Sequence, residues 1–302
     1  MTIKYLRHID IDKNKWDDCI VKSSNGLIYS NSVYLDCMAT YWDGLVMDDY
    51  AAVMPLPFRK KYGLHYIYPP AFSQQMGITS IQEITPELIE TFLNNIPAKF
   101  RYVEINFNVS NQYHFSNEKK RNNYVLPLFS SFEILKKNFS RSALRNINKA
   151  IIENITVKEN ILTTEIINIH RSRFNDSVGA NANDYERLGN LFSHLKNLNL
   201  LFTLGAYNRI GALIGGSIYF VYKDRITFII NGNSNESLSN GATHLLMHET
   251  IKKFSSSDFV LDFEGSDFPD FVKFYKQYDA TAEIYKLVRI NNLPWPFSMF
   301  KK

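Results

Sequence analysis

The sequence predicts an α/β protein with a mixed α+β sheet, built as two similar domains in tandem. The chain has 302 residues, more than most single domains, so two domains of about 150 residues are expected. Hydrophobic residues make up 45% and aromatic residues 14% of the chain, enough for a core in each domain, and this composition excludes a disordered protein. The order of predicted helices and strands in the second half also recurs in the first half.

Hydrophobic periodicity in the second half predicts a basic helical stretch at residues 131–152, followed by an alternation of strands and helices. In order, these are a strand (155–160), two amphipathic helices (161–174 and 184–197, with Asp184 as N-cap), three strands joined by short turns (200–207, 211–222 and 225–232), a helix (242–254), a strand (259–265), a helix (269–278) and a strand (282–291). The order is β-α-α-β-β-β-α-β-α-β.

The first half repeats this order with one helix missing. Its predicted elements are a strand (3–9), two helices (13–23 and 32–42), three strands (44–49, 50–58 and 64–70), a helix (86–96) and two strands (101–109 and 123–128). The polar run at residues 111–123 stands where the last helix would be. We therefore expect domains at residues 1–130 and 131–302, related by element order, since the halves share no residue-level repeat.

Charge and cysteine content exclude several classes of protein. Lys and Arg exceed Asp and Glu by four, which indicates only a mild preference for anionic partners. The two cysteines, Cys19 and Cys37, have no C-x-x-C spacing, so neither a disulfide framework nor a zinc site is expected. The N-terminus has no apolar signal segment, and no window approaches the roughly 20 apolar residues of a membrane span. A cytoplasmic protein without membrane insertion is expected.

The element order resembles the GNAT fold, that of the Gcn5-related N-acyltransferases. Two copies in one chain resemble the Fem-type aminoacyltransferases and the related BioF-like acetyltransferases. The resemblance implies that the second domain binds an activated acyl donor and that the first, degenerate domain serves the acceptor. The cleft between the domains is then the expected acceptor site.

The stretch SLSNGATHLL (237–246) stands where GNAT proteins carry Q/R-x-x-G-x-G/A before a helix. A tight loop and a helix N-terminus present backbone N–H groups and a positive dipole end, which together bind pyrophosphate. By this match Ser237 takes the Q/R position, Asn240 the first Gly and Ala242 the G/A position. The residues expected to bind the cofactor are Ser237, Ser239, Asn240, Gly241, Ala242 and Thr243. The alternative is a polar loop that only caps a helix.

The stretch FYKQYDA (274–280) resembles the GNAT segment Y-x-x-x-G-F, in which a tyrosine can protonate the leaving thiolate of coenzyme A. The match gives Tyr275 that role. The same stretch resembles the Fem-type segment F-K-x-x-F-G, with Tyr275 in place of the lysine. In both comparisons Asp279 replaces the glycine, and Phe268 stands where many GNAT proteins have an asparagine.

Carboxylates cluster just before this stretch. Period-two geometry places Asp262 and Glu264 on one face of the strand at residues 259–265, at its C-terminal end. A carboxylate there can deprotonate the acceptor ammonium, so both are candidate catalytic residues. A strand-end carboxylate paired with a lysine is the alternative. Asp267 is the expected N-cap of the next helix, and Asp270 lies in its first turn.

Two basic groups could contact phosphates. Arg59 and Lys60 lie in a segment that resembles Fem-type first halves, which implies contact with an anionic acceptor, while a solvated hairpin tip is the alternative. Arg141, Arg145 and Lys149 repeat at i, i+4 and i+8 and make one basic helix face for a nucleotide, a lipid head group or transfer RNA, or simply a solvated stripe. His244 and His248 are expected to be packed or surface residues, and no metal site is expected.

Together these features predict an N-acyltransferase that moves an acyl group from acyl-CoA, with acetyl-CoA as the expected donor, to an amine acceptor. One alternative is a Fem-type aminoacyltransferase that moves an amino acid from aminoacyl-tRNA to a cell-wall precursor. Another is a GNAT-shaped binding protein without catalysis. The expected partners are a small-molecule or cell-wall-precursor amine and, in the first alternative, transfer RNA.

Overall fold

The computed structural model describes residues 2–115, 118–174, 180–265 and 268–295. The chain forms two compact units, one of Met1–Arg121 with Ile284–Lys302 and one of Asn122–Glu283. The last segment thus returns to the first unit. The limit at residue 130, which rests on the repeat of element order, stays a prediction.

The first unit is a sheet with three helices among its described residues. Its strands are β1 (Ile3–Leu6), β2 (Tyr41–Met47), β3 (Ala52–Lys61), β4 (Leu64–Ile67), the short β5 (Thr79–Ser80) and β6 (Phe100–Phe107), and its helices are α1 (Lys13–Lys22), α2 (Ser32–Met38) and α3 (Pro86–Asn94). Strands β1, β2, β3, β4 and β6 are neighbours in that order, and β5 pairs with β3. The antiparallel pairing of Lys286–Asn291 with Phe107–Tyr102 adds the last strand of the chain to β6.

The second unit contains the remaining elements. Its strands are β7 (Glu118–Pro127), which begins before the unit boundary, β8 (Thr156–Glu159), β9 (Leu201–Tyr207), β10 (Leu213–Tyr222), β11 (Arg225–Asn233), β12 (Val260–Asp262) and the start of β13 (Thr281–Asn291). Its helices are α4 (Phe132–Lys137), α5 (Arg141–Ile152), α6 (Thr163–Phe174), α7 (Ala182–Asn197), α8 (Asn235–Asn240), α9 (Ala242–Phe254) and α10 (Pro269–Lys276). The strand order is β7-β12-β11-β10-β9-β8. The predicted α/β class with a mixed sheet is confirmed.

Helix capping explains two differences from the predicted elements. The single helix expected at residues 131–152 is two helices, because Ser140 caps α5 by accepting a hydrogen bond from the N–H of Ala143 (3.1 Å). The N-cap of α7 is Asn181 rather than Asp184. Asp184 is the N3 residue of a capping box, in which its side chain accepts from the Asn181 N–H (3.0 Å).

Strand limits account for three further differences. The second helix of the first unit ends at Met38, and Tyr41 already belongs to β2. The polar run at 111–123 was expected to carry no element, but β7 begins within it, at Glu118. The strand expected over 259–265 ends at Asp262. Polar or short strands are hard to predict, because backbone hydrogen bonds to neighbouring strands stabilise them and their side chains show no clear pattern.

Successive residues of β10 place helices on the two faces of the second sheet. Tyr219 accepts a hydrogen bond from Thr250 of α9 (2.8 Å), while the ring of Phe220 lies 5.9 Å from the ring of Phe192 of α7. Adjacent residues of a strand point to opposite faces, so α9 and α7 cover opposite sides of this sheet. Within the described residues, no helix combines the length and the apolar character that a membrane span needs.

Candidate active site of the second unit

The predicted phosphate loop is a junction between two helices. Residues Asn235–Asn240 form α8, and Gly241 follows with a left-handed φ of 85°. Helix α9 begins at the next residue. Gly241 therefore ends one helix and starts the other, since glycine adopts positive φ without steric cost. The loop expected ahead of residue 242 is therefore wrong, whereas the helix predicted over residues 242–254 is α9.

Backbone donors at this junction already have partners inside it. The N–H of Ala242 donates to the side-chain oxygen of Asn240 (3.1 Å). The N–H groups of His244 and Leu245 donate to the carbonyl of Gly241 (3.0 and 3.1 Å). Because the first N–H groups of a helix bind phosphate only when they are open, these partners leave few donors for an anion.

The hydroxyl groups of the junction are used internally as well. Ser237 is fully buried and donates to the side-chain oxygen of Asn233 (3.3 Å). Thr243 donates to the same oxygen (2.6 Å), and Ser239 donates to the carbonyl of Glu236 (2.9 Å). These contacts hold α8 and the first turn of α9 against the end of β11.

Helix α5 covers the junction with its backbone. A Cβ atom on Gly241 would lie 2.1 Å from the carbonyl oxygen of Asn146, so the two main chains are in direct contact. The side chain of Asn146 reaches His244 (3.3 Å between Nδ2 and Nε2), and the Nζ atom of Lys149 donates to the carbonyl of Ser239 (2.6 Å). Gly241 and Ala242 are buried as a result.

An exposed stripe of α5 beside the junction carries its charges. Arg141, Arg145 and Lys149 are all exposed, as the i, i+4, i+8 spacing predicts for one basic helix face. They line a surface concavity of about 580 Å³ together with Leu144, Asn148 and Ile152. Helix α5 therefore packs against the α8–α9 junction and presents a row of cations beside it, of which Lys149 contacts the junction.

Tyr275 of α10 lies in an aromatic pocket. It is 7% exposed, and its ring centroid lies 4.9 Å from that of Phe263, 5.8 Å from that of Tyr124 and 6.5 Å from that of Phe271. Burial, and after it the charges of Glu264 and Asp262, raise the pKa of the Tyr275 phenol well above its usual value. The phenol is therefore protonated at neutral pH.

The two candidate carboxylates do not share a strand face. Asp262 is the last residue of β12, and Glu264 has a left-handed φ of 57°. Asp262 is 1% exposed and accepts hydrogen bonds from Arg225 (2.6 Å) and from the N–H of Glu264 (2.8 Å). Its partner is an arginine rather than the lysine considered from the sequence. Asp262 thus orients the turn that carries Glu264, while Glu264 itself is only half buried.

Gly265 fixes the same turn. Its φ is 34°, and a Cβ atom there would lie 2.0 Å from the carbonyl oxygen of Asn122 on β7. Only a residue without a side chain lets the turn pack this closely. Helix α10 then has Phe268 as its N-cap, with Pro269 and Asp270 in its first turn as predicted, whereas Asp267 lies outside the described residues.

Two groups of side chains near the site were missed by sequence reasoning. The Nδ1 atom of His244 lies 2.7 Å from the Tyr278 hydroxyl, and burial lowers the pKa of His244 to about 4. Phe268 and Phe271 are 67% and 40% exposed, and they lead along α10 to Tyr275. The aromatic spacing of 268, 271 and 275 was a usable signal, because i, i+3 and i+7 share one helix face.

No protein-family model and no curated protein matches the sequence. Solved structures do match. FemX superposes with a TM-score of 0.68 at 12% identity, over 95% of this chain and 97% of that chain. A tandem GNAT protein from the clavulanic acid biosynthesis pathway gives 0.55 at 6% identity, over 97% and 99%. L-PGS from Bacillus licheniformis gives 0.53 at 10% identity, over 96% and 95%.

The chain has the tandem GNAT fold. At these identities the likeness concerns the fold alone, and it confirms the fold inferred from the repeated element order.

In this tandem GNAT fold, the short strand β12 pairs along its whole length with only the first residues of β11. Parallel pairing joins Arg225, Ile226 and Thr227 to Val260, Leu261 and Asp262, after which β12 ends and β11 continues to Asn233. The register of β10 with β9 shifts between Leu213 and Gly215, which is a β-bulge or irregularity beside the two glycines of β10. The carboxylates and Tyr275 lie where β12 ends.

The remaining candidates lie in the first unit, on the hairpin of β3 and β4. The Arg59 guanidinium stands 4.2 Å from the ring centroid of Tyr68, and the Lys60 ammonium 5.3 Å from that of Tyr41. Residues 51–82 contain no carboxylate, so this hairpin has a positive surface. Within the described parts of the chain, no group of three or more His, Cys, Asp or Glu residues could hold a metal ion.

Proposed function

We propose that the protein is a transferase that moves an aminoacyl group from an aminoacyl-tRNA to the amine of an acceptor, as the resemblance to Fem-type proteins implies. One observation carries the proposal. Helix α5 packs its backbone against Gly241 at the α8–α9 junction and exposes Arg141, Arg145 and Lys149 along a stripe beside that contact. The packing disfavours a coenzyme A donor, and the extended row of cations favours a longer polyanion such as transfer RNA.

A coenzyme A donor would need the backbone of the α8–α9 junction. Pyrophosphate binds to open N–H groups at a helix start, usually with a cation beside them. Here the N–H groups of Ala242, His244 and Leu245 have partners, and the position of the usual cation is the buried Ser237. The predicted roles of residues 237–243 in binding a cofactor therefore receive no support from the geometry.

A transfer RNA donor would use the charges instead. Lys and Arg side chains neutralise successive phosphates, and each such contact adds a salt-dependent contribution to affinity. Besides the three cations of α5, Lys273 and Lys276 are exposed on α10. Ser140, the N-cap of α5, lines the cavity beside these lysines, and its N–H donates to the carbonyl of Gln277 just after α10 (2.9 Å). The start of α5 therefore lies next to the end of α10, and the cations of the two helices are neighbours.

The chemistry follows from the protonation states. The acceptor ammonium loses a proton to Glu264, and the free amine attacks the ester carbonyl, forming a C–N bond. The C–O bond to the ribose then breaks, Tyr275 gives its proton to the departing oxygen, and the second proton that the attacking nitrogen loses returns to the Tyr275 phenolate. The proton on Glu264 passes to solvent. An alkoxide is far more basic than a thiolate, so a phenol with a raised pKa suits an ester of ribose better than a thioester.

The acceptor is proposed to be the amine of an anionic precursor of the cell wall. The proposed contact to its charge is Arg59 on one face of β3 or Lys60 on the other, because both lie on a hairpin without carboxylates. Their cation–ring contacts hold both side chains in defined positions.

Binding of the two donors decides the proposal. Purified protein is titrated with transfer RNA and with acetyl-CoA, by filter binding and by calorimetry. We expect salt-dependent RNA binding that Arg145→Glu weakens, with the slope of log K against log salt reduced by about 1. Lys196→Glu is the matched control, since Lys196 is an exposed residue of α7, on the other face of the same sheet.

Transfer itself is then followed with radioactive aminoacyl-tRNA and candidate amines. Saturable binding of acetyl-CoA together with no RNA binding contradicts the proposal and makes acyl-CoA the favoured donor. Absence of both kinds of binding supports the non-catalytic alternative.

A further inference from the structure

The exposed aromatic residues at the start of α10 have no role in the reaction described above. Phe268 is 67% exposed and Phe271 is 40% exposed, whereas Tyr275, one turn further along, is 7% exposed. Large apolar side chains exposed together beside a site mark a binding surface more often than isolated ones do. These two rings stand next to the proposed proton donor.

The three rings form a ladder. Phe268 meets Phe271 edge to face, with centroids 6.1 Å apart, and Phe271 lies nearly parallel to Tyr275, with an interplanar angle of 13° and a centroid distance of 6.5 Å. Tyr275 is in turn packed on Phe263 and Tyr124. The buried end of the ladder is therefore rigid, and its outer end offers aromatic surface to a ligand.

We propose that Phe271, supported by Phe268, stacks on the terminal base of the RNA donor. This inference rests on the proposed function. If Tyr275 protonates a ribose oxygen, the base of the same nucleotide lies only one sugar ring away, and Phe271 is the exposed ring at that distance from Tyr275. Unpaired bases at RNA ends are commonly held by stacking on aromatic side chains.

The surroundings favour a nucleotide over an apolar acyl chain. Lys273 and Lys276 are exposed on the adjoining side of α10 and line a cavity of about 570 Å³ together with Pro269 and Val272. These cations can hold phosphates that follow the terminal nucleotide. An acyl chain would gain nothing from them, and the ligand-facing rings are flat aromatics rather than the aliphatic side chains of a chain-binding groove.

Stacking is measured with a short RNA hairpin that ends in the unpaired C-C-A of a transfer RNA, with 2-aminopurine as its last base. Binding to the wild-type protein should quench the fluorescence of this base. Phe271→Ala should abolish the quenching and weaken binding by about 5- to 100-fold, the loss that corresponds to one base–aromatic stack. Phe271→Trp should retain both.

Phe129→Ala is the matched control, because Phe129 is another exposed phenylalanine of the same unit, 60% exposed and away from α10. The inference is overturned if the base is not quenched, if Phe271→Ala binds RNA as wild type does, or if its only effect is a raised KM for the amine acceptor. The first outcome, with aminoacyl transfer intact, leaves the proposed function standing. Quenching without any transfer activity supports the stack and removes the proposed reaction.

Discussion

Substitution of Gly241 by alanine tests the observation on which the choice of donor depends. The new Cβ atom would lie 2.1 Å from the carbonyl oxygen and 2.9 Å from the carbonyl carbon of Asn146, both backbone atoms that no side-chain rotation can move. The φ of 85° adds a second penalty, since left-handed backbone is unfavourable for residues with a side chain. Helix α5 must therefore move away from the junction, or the junction must unfold.

The two penalties can be separated with a matched variant. Gly211 has a φ of 78° and nothing within 4 Å of its Cβ position, so Gly211→Ala carries the backbone strain alone, about 1–2 kcal/mol. Overpacking adds about 1–3 kcal/mol when atoms are forced into a filled space. We expect Gly241→Ala to lower the free energy of unfolding by about 2–5 kcal/mol. This loss should be larger than that of Gly211→Ala by the overpacking contribution.

Urea denaturation followed by circular dichroism measures both values, and tryptophan fluorescence provides a second probe. If Gly241→Ala costs no more than Gly211→Ala, the junction is open in solution. A pyrophosphate could then bind there, and coenzyme A would again be a candidate donor.

Three further variants test the site. Asp262→Ala should lower the free energy of unfolding by about 3 kcal/mol, because Arg225 loses its buried partner. In urea denaturation, the double variant Arg225→Met with Asp262→Leu should lower it by less than Asp262→Ala does. An equal loss would contradict a buried ion pair. Tyr275→Phe should lower the rate of transfer at least about 100-fold in a single-turnover assay and leave the free energy of unfolding nearly unchanged, because among the described residues none hydrogen-bonds this hydroxyl. Burial lowers the pKa of His244 from 6.5 to about 4. As the pH drops below 6.5, the unfolded chain therefore binds a proton at this histidine before the folded chain does. The free energy of unfolding should fall by about 1.4 kcal/mol per pH unit down to pH 4. In His244→Gln this part of the slope between pH 6.5 and 5 should disappear, and an unchanged slope would assign it to other groups.

The fold was predictable because its signals are local. Short apolar runs separated by turns marked the strands from β9 to β11, and i, i+4 spacing marked the basic face of α5. Capping was less predictable, since Asn181 and Asp184 are both good N-cap residues and only the hydrogen bonds distinguish the N-cap from N3.

The site was predictable in its residue types and less so in its geometry. Tyr275 could be singled out by its place in an aromatic segment, but its burial, which raises the pKa of the phenol, depends on Tyr124 and Phe263 from distant parts of the chain. The pairing of Asp262 with Arg225 likewise joins two strands that are 37 residues apart in sequence. Sequence spacing carries no information about such contacts.

The sequence by itself determined the repeated element order, the basic face at Arg141, Arg145 and Lys149, and the cluster of carboxylates before Tyr275. Tertiary structure alone decided how the segment around Gly241 is packed. That segment has a glycine at the start of a helix, the usual local requirement for an anion site. Its N–H groups have partners within the junction, and the backbone of α5, which is remote in sequence, packs directly against Gly241. Contact between two main chains leaves no trace in a local motif.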